Sequence, residues 1–257
     1  MSDIILQARQ LGKTVSIGGQ PLRILHDLNL SLKQGDSLAI VGQSGSGKST
    51  LLGWLAGLDQ PTHGQIMLAG HQLEQLDEDQ RAAVRAQNVG FVFQSFQLLD
   101  SLTALENVML PLELTQTRGA RKLASQLLEQ VRLGQRRPHY PRLLSGGEQP
   151  RVAIARAFAA RPRILFADEP TGNLDNQTGE HISNLIFALN QAHGTTLVLV
   201  TPDDTLAARC ASTIRLHGGQ QVDQPTPPGC RHCWSWPANK ACASGAPANY
   251  TPCFSPC

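Results

Sequence analysis

The segment at residues 42–49 constrains this chain more than any other stretch of its sequence. It reads GQSGSGKS, which matches the pattern G-x-x-x-x-G-K-[ST], and it lies between a predicted buried strand at 37–41 and a predicted helix at 48–56. In that position the glycines let successive backbone N–H groups face a phosphate, and the positive end of the helix adds to the attraction. Lys48 would reach the β- and γ-phosphates, and Ser49 would offer its hydroxyl to Mg²⁺.

A flexible Gly/Ser turn is the alternative interpretation of this segment, and the flanking strand and helix disfavour it. We therefore predict a loop that binds a nucleoside triphosphate. Its candidate binding residues are Gly42, Gln43, Ser44, Gly45, Ser46, Gly47, Lys48, Ser49 and Thr50.

A second motif places two carboxylates at the end of an apolar run. The sequence RILFA at 163–167 predicts a buried strand, and Asp168 and Glu169 follow it directly. Ligands of open α/β sheets bind at the carboxyl ends of the strands, so both motifs are expected at the same edge. Asp168 can hold the water shell of Mg²⁺ and Glu169 can take a proton from an attacking water. An ordinary acidic pair before a turn is the alternative.

A third motif, LSGGEQ, begins at Leu144 and precedes a predicted helix at 148–159. Ser145, Gly146 and Gly147 would form a further anion site at a helix N-terminus, unless the motif is simply a loop. One nucleotide does not need two such cradles within one chain. Two cradles make sense if two copies meet head to tail, each closing the site of the other.

Short apolar runs alternate with helical patterns along most of the chain, which favours an α/β fold with a largely parallel sheet. An antiparallel piece is expected at 3–32, and Gly218-Gly219 predicts a hairpin within 213–222. Further strands are predicted at 65–68, 89–93 and 196–200, and further helices at 120–131 and 178–191.

Composition excludes several classes of protein. The 257 residues include 22 basic and 20 acidic side chains, and a net charge of +2 offers no bulk attraction for nucleic acid. Mean hydropathy is −0.18 and no apolar run approaches the length of a membrane span, so no direct membrane insertion is expected. The N-terminus has no secretory pattern, and before residue 230 the sequence contains a single cysteine, Cys210; both features favour the cytosol.

The motifs together resemble those of the ATP-binding subunits of ABC transporters, over roughly residues 3–222. Residues 42–50 are similar to Walker A, 145–149 to the signature, and Asp168 and Glu169 to Walker B with the catalytic glutamate. Gln94 in FVFQSF resembles the Q-loop glutamine, and 172–175 resemble the D-loop. The phrases FADEPTGNLD and VGFVFQSFQLL are similar to the subgroup that serves lipoprotein release and macrolide export.

The resemblance implies a fold. It is an α/β P-loop NTPase core with a mixed sheet, an antiparallel β subdomain and a helical subdomain. The ATP-binding domain would span 1–223, with the helical subdomain at about 95–160. The helical arm between Gln94 and Leu144 would touch a membrane permease.

The resemblance also implies an activity: ATP hydrolysis with Mg²⁺, coupled to export or extraction of lipids, lipoproteins or other hydrophobic compounds. Glu169, Lys48 and Gln94 would be catalytic, and Ser49, Gln94 and Asp168 would hold the metal. Two copies would pair, with the turn at 145–147 contacting ATP. The homodimer would sit at the cytoplasmic face of the inner membrane, attached through an integral membrane permease.

Three positions depart from the family pattern. Pro202 stands where the family has a switch histidine, and proline offers neither a side-chain donor nor a backbone N–H. A binding module with impaired hydrolysis is therefore the alternative function. Pro150 replaces a usual glutamine near the start of the signature helix, where we expect moderate strain. Val15 stands where an aromatic residue often stacks on adenine, so the contact there would only be apolar.

Beyond residue 223 the sequence is rich in Pro, Cys, Ala and Ser, and residues 224–257 are predicted to be disordered. The pair Cys230 and Cys233 allows a zinc site as one interpretation. A frameshift near Pro228 is the other, because this stretch is unlike any ending of the family. A P-loop protein outside transport, such as a DNA-repair ATPase or a GTPase, is a competing class. The signature and the near-neutral charge disfavour it.

Overall fold

A computed structural model describes residues 4–17 and 20–222, with side chains described outside 15–24. The tail predicted at 224–257, including its zinc and frameshift interpretations, lies outside the described residues. So does the side chain of Val15.

The described residues form strands and helices in alternation. The strands are β1 (Ile4–Ile17), β2 (Gln20–Lys33), β3 (Ser37–Gly42), β4 (His63–Leu68), β5 (His71–Gln72), β6 (Val89–Val92), β7 (Ile164–Asp168), β8 (Thr196–Val200), β9 (Ser212–His217) and β10 (Gln220–Val222). The helices are α1 (Lys48–Leu55), α2 (Glu78–Asn88), α3 (Ala104–Leu114), α4 (Ala120–Gln130), α5 (Glu148–Ala159), α6 (Asn176–His193) and α7 (Asp204–Ala207).

The central sheet has the strand order β10-β9-β3-β8-β7-β6 and is parallel from β9 to β6. Strands β7 and β8 are apolar along their length because both faces of a parallel sheet are covered. In register, Val200 pairs with Ile40 on one side and with Asp168 on the other. The carboxyl ends of β3, β7 and β8 therefore meet at one edge, as the motifs predict.

A smaller antiparallel sheet has the order β2-β1-β4-β5. The long strands β1 and β2 pair with several register shifts, which bend the ribbon. Leu6, Leu28 and Leu68 from this sheet share one buried cluster with Trp54 of α1 and Phe166 of β7. Helix α1, which follows the phosphate-binding loop, is thus packed in the core that the two sheets share.

Helices α3, α4 and α5 pack against one another, and their apolar residues continue into a second buried cluster on the opposite face of the central sheet. Val108, Leu128 and Phe158 belong to this cluster together with Leu165 of β7. The alternation of Leu165 and Phe166 between the two clusters shows that β7 is buried on both sides. The mixed sheet, the antiparallel sheet and the helical part confirm the predicted fold class.

Helix α3 is not among the helices predicted individually above, although it lies within the helical arm that the resemblance implies between Gln94 and Leu144. Proline within a helix usually interrupts it, and α3 contains Pro111. The helix forms nevertheless. Thr103 and Glu106 make a reciprocal capping box at its start, and Pro111 lies close to its C-terminal end.

Asn107 of α3 is fully buried and organises the turn that leads into the helix. Its amide nitrogen donates to the carbonyl oxygens of Leu99, Leu102 and Thr103, each at 3.1 Å, and its oxygen accepts from the Leu99 N–H at 2.9 Å. Four backbone contacts therefore depend on one side chain.

We predict that Asn107→Ala lowers the free energy of unfolding by about 2–4 kcal/mol, because several backbone groups lose their partner. Urea denaturation at neutral pH measures the change. Gln126→Ala, at an exposed position of α4, is the control and should stay within about 0.5 kcal/mol of the parent. An Asn107→Ala value within that same range contradicts the prediction.

Candidate nucleotide-binding site

The phosphate-binding loop connects β3 to α1, and its shape requires glycine. Gly45 and Gly47 have φ values of +78° and +92°, in the left-handed region. A Cβ atom at Gly42 would lie 2.5 Å from both the Leu216 carbonyl oxygen and the Ser46 hydroxyl. Gly47 is the N-cap residue of α1, so the loop leads directly into a helix N-terminus. This is the backbone arrangement that binds phosphate.

Lys48 is the most enclosed charge of the loop, with 5% of its surface exposed. Its Nζ donates to the carbonyl oxygens of Gly42 at 2.9 Å and Gln43 at 3.1 Å. The same ammonium lies 3.4 Å from Glu169 Oε1. A triphosphate entering the loop would meet a preplaced positive charge. Ser46 is buried with Lys48, whereas Gln43, Ser44 and Gly45 are exposed at the mouth of the loop.

Ser49 and Asp168 bring a hydroxyl and a carboxylate together: Ser49 Oγ donates to Asp168 Oδ1 at 3.3 Å. Burial raises the pKa of Asp168, the Ser49 hydrogen bond opposes this, and the nearby Glu169 adds to the rise. A cation at this place would relieve the cost of that partly buried charge. Mg²⁺ favours one or two carboxylates completed by phosphates and water, so this pair fits it. The described residues contain no cluster of three acidic, His or Cys side chains that could hold a metal, so the fit to Mg²⁺ depends on this hydroxyl and carboxylate pair.

Glu169 has its backbone at φ +42°, and its N–H donates to the Val200 carbonyl of β8 at 2.9 Å. Gln94, just after β6, donates from Nε2 to Glu169 Oε2 at 3.4 Å. The side chain of Asn173 in turn donates to the Gln94 carbonyl at 3.2 Å. One carboxylate thus contacts both Lys48 and Gln94, the residues predicted to share its chemistry.

The turn at 145–147 lies at the start of α5, and Ser145 and Gly146 are exposed. Its hydrogen bonds are local: the Ser145 carbonyl accepts from the N–H groups of Glu148 at 3.0 Å and Gln149 at 3.1 Å. The predicted catalytic and metal residues therefore come together around the phosphate-binding loop, while this turn presents its polar groups to solvent.

The two proline departures occupy different settings. Pro202 is exposed, two residues after Val200, at the sheet edge that carries Asp168. Pro150 is the third residue of α5, where a backbone N–H has no intrahelical acceptor. The helix begins at Glu148 and runs to Ala159, so this proline does not break it.

Arg156 is a residue of the site region that sequence reasoning missed. It projects from α5 and donates to the carbonyls of Phe96 at 2.8 Å and Gln97 at 2.7 Å, just beyond Gln94. Both carbonyls belong to residues with positive φ, 59° and 43°. The only signal in the sequence is an arginine within the otherwise apolar run VAIARAFAA.

A strand–loop–helix phosphate cradle beside a carboxylate-tipped parallel strand defines a P-loop nucleotide hydrolase. The family model described as ABC transporter matches residues 25–172. Together with the relatives described next, this match shows that the chain belongs to the ATP-binding proteins of ABC transporters, which are ATPases.

Two relatives support this assignment. The chain is 55% identical over 222 residues to the uncharacterized ABC transporter ATP-binding protein YbbA of Escherichia coli (strain K12), covering 86% of this chain and 97% of that protein. It is 46% identical over 226 residues to the lipoprotein-releasing system ATP-binding protein LolD of Pseudomonas syringae pv. tomato, covering 87% and 100%. The resemblance stated from the motifs is confirmed.

Solved structures agree on the fold. A dimeric post-hydrolysis state of the ATP-binding cassette MJ0796 bound to ADP and Pi superposes with a TM-score of 0.79 at 40% identity, covering 87% of this chain and 99% of that one. A second dimeric structure of MJ0796, a bacterial ABC transporter cassette, gives 0.78 at 41% identity, with coverages of 85% and 97%. Among the described helices, none has the length and apolar character to cross a membrane.

We predict that Gly42→Ala weakens nucleotide binding by about tenfold or more and lowers the free energy of unfolding by about 1–3 kcal/mol, because its methyl group would crowd two oxygen atoms. Equilibrium binding of ATP and urea denaturation measure the two effects.

Gly53→Ala in α1 is the matched control, since a Cβ atom there meets open space. It should leave binding unchanged and stabilise the helix by about 0.5–1 kcal/mol. Equal binding by the Gly42→Ala variant and its parent would show that the close approach at Gly42 is unimportant.

Proposed function

We propose that two copies of this ATP-binding subunit enclose two Mg²⁺-ATP molecules and drive a membrane permease. The observation that carries the proposal is that the predicted site residues fall into two separate groups, one around the phosphate-binding loop and one in the turn at 145–147. Five predicted residues converge around the phosphate-binding loop, namely Lys48, Ser49, Gln94, Asp168 and Glu169. The turn at 145–147 makes only local hydrogen bonds, and its Ser145 and Gly146 are exposed. A second copy would supply the missing turn.

In the proposed reaction the loop N–H groups and the N-terminus of α1 bind the phosphates, and the Lys48 ammonium turns from the Gly42 and Gln43 carbonyls to the phosphate oxygens. Mg²⁺, held by Ser49 and Asp168 with Gln94 nearby, would neutralise charge on the phosphates. Glu169 accepts a proton from the attacking water. Gln94 contacts Glu169, and it would transmit the presence or loss of the γ-phosphate to the helical arm that follows Gln94 in the chain.

Pairing of two copies is supported by the dimeric MJ0796 cassettes, one of them bound to ADP and Pi. In the proposed dimer, Ser145, Gly146 and Gly147 of one copy contact the ATP held by the other. Exposed glycines without a Cβ let backbone N–H groups approach a phosphate closely.

The proposed cargo is a lipid, a lipoprotein or another hydrophobic compound that the permease exports or extracts. Support comes from the similarity to LolD, which is named for a lipoprotein-releasing system. The subunit would work at the cytoplasmic face of the inner membrane, with the helical arm between Gln94 and Leu144 against the permease. Co-purification with a permease encoded by a neighbouring gene tests this part of the proposal.

We predict that Glu169→Gln lowers the single-turnover rate of ATP hydrolysis by about 100-fold or more, because the amide cannot accept a proton from water. ATP binding should be retained, since the loop and Lys48 are intact. A filter-binding assay and a quenched single-turnover assay measure the two quantities. Glu180→Gln, an exposed change on α6, should stay within about twofold of the parent. If Glu169→Gln hydrolyses ATP as fast as the parent, Glu169 is not the group that accepts the proton from water.

Pro202 favours a second candidate function, an ATP-binding module with impaired hydrolysis. Proline at this sheet edge cannot donate a hydrogen bond toward the γ-phosphate or Glu169. We predict that Pro202→His raises the hydrolysis rate by about 10- to 100-fold, because a hydrogen bond to a charged group contributes about 1.5–3 kcal/mol.

The rate constant of single-turnover hydrolysis measures this effect. Pro150→Gln is the control, because the third position of α5 makes no intrahelical hydrogen bond, and it should change the rate by less than about twofold. If Pro202→His hydrolyses ATP at the same rate as the parent, the proposal that Pro202 impairs hydrolysis is wrong.

A further inference from the structure

We propose that Arg136 is a positioning residue for the turn at 145–147, fixing the orientation in which this turn meets ATP. The inference rests on the proposed function, in which that turn completes the site of a second copy. Arg136 itself would not touch the nucleotide. Its effect passes through Glu148, the first residue of α5.

Glu148 uses its two carboxylate oxygens in different directions. Oε2 accepts from the backbone N–H of Ser145 at 2.8 Å, and Oε1 accepts from Arg136 Nε at 2.8 Å. The Ser145 N–H and the Arg136 guanidinium also hold the pKa of Glu148 below its usual range, so the carboxylate is charged at neutral pH. Arg136 therefore sets the direction of the carboxylate, and the carboxylate sets the direction of the Ser145 backbone.

The segment that carries Arg136 is itself attached to α3. The carbonyl of Arg137 accepts from the Leu105 N–H at 3.1 Å, and that of His139 accepts from the Ala104 N–H at 2.8 Å. These are N–H groups of the first turn of α3, which have no intrahelical acceptor. Arg136 Nη1 also lies 3.4 Å from His139 Nε2. A displacement of the start of α3 would consequently reach Ser145 through Arg136 and Glu148.

Helix α3 begins ten residues after Gln94, the residue that contacts Glu169. Nearer to Gln94, the Phe96 and Gln97 carbonyls are bound by Arg156, which belongs to α5. Helix α5 and the segment after Gln94 are therefore connected twice. Arg156 makes one connection from the last turn of α5, and the Arg136–Glu148 pair makes the other at its start, beside the turn at 145–147.

The pair is placed for orientation more than for stability. The Arg136 side chain is 46% exposed and that of Glu148 21%, and ion pairs with this exposure contribute little to folding. The neighbouring Arg137 forms an equivalent ion pair with Glu129 of α4, directed away from the turn. Glu129, Arg132 and Arg137 line the same cleft as the pair and provide the surrounding charge. Arg137 is thus a natural matched control.

The test uses the full chain carrying Glu169→Gln, so that bound ATP is not consumed. ATP-driven pairing is followed by sedimentation velocity at several protein concentrations, and ATP binding to single copies is measured at low protein concentration. We expect Arg136→Ala to raise the concentration for half-maximal pairing about fivefold, with two weak ion pairs lost per dimer. Single-copy ATP binding should stay within twofold, and Arg137→Ala should pair like the parent.

The readout that a merely structural role would not reproduce is the loss of pairing without a loss of single-copy ATP binding. Salt supplies a second readout, since the difference between Arg136→Ala and its parent should shrink toward about 1 M salt, where ion pairs are screened. If Arg136→Ala fails to fold, Arg136→Lys replaces it; it keeps the charge but not the Nε contact and should give an intermediate loss.

Three outcomes overturn the inference: equal pairing by Arg136→Ala and the parent, an equal loss in Arg137→Ala, or a difference that persists in full at high salt. If the parent itself does not pair with ATP, the proposed function fails first, and the inference fails with it.

Discussion

The buried ammonium of Lys48 is the constraint on which the rest of the site depends. A charge with 5% exposure has to be compensated, and here two loop carbonyls and Glu169 do so. These partners fix the loop at the end of β3, the start of α1 and the turn after β7 relative to one another. The parallel register that aligns Asp168 with Val200 and Val200 with Ile40 makes this possible.

The contact between Lys48 and Glu169 also bears on the order of ATP binding and proton transfer in the proposed reaction. Glu169 contacts both the ammonium of Lys48 and the amide of Gln94. Phosphate oxygens compete for Lys48 more strongly than a single carboxylate, since they carry more charge and meet the loop N–H groups as well. In the proposed reaction, binding of ATP would therefore free Glu169 to accept a proton from water.

Local patterns predicted the strands and helices around the candidate site well, because these elements begin and end at strong sequence signals. The bounds of β8 and α5 match the predicted 196–200 and 148–159, and α1 begins at Lys48 as expected. The sequence of α3 carries opposing signals, the Thr103–Glu106 capping box and Pro111, and this helix was expected only as part of the helical arm that the resemblance implies. Asn107, Arg136 and Arg156 were missed for another reason: their partners lie in backbone or in distant elements, and only the tertiary fold brings these together.

The exposure of Ser145 and Gly146 in the turn at 145–147 affects where in the cell ATP would be hydrolysed. If a site is complete only when two copies meet, its turnover depends on how often they meet, and free copies at low abundance rarely do. A permease that holds two copies side by side would raise their effective concentration for each other to about the millimolar range, which short flexible linkers reach. No new contact at the nucleotide is needed for this. Hydrolysis would then be confined to assembled transporters, and an unattached subunit would keep its ATP.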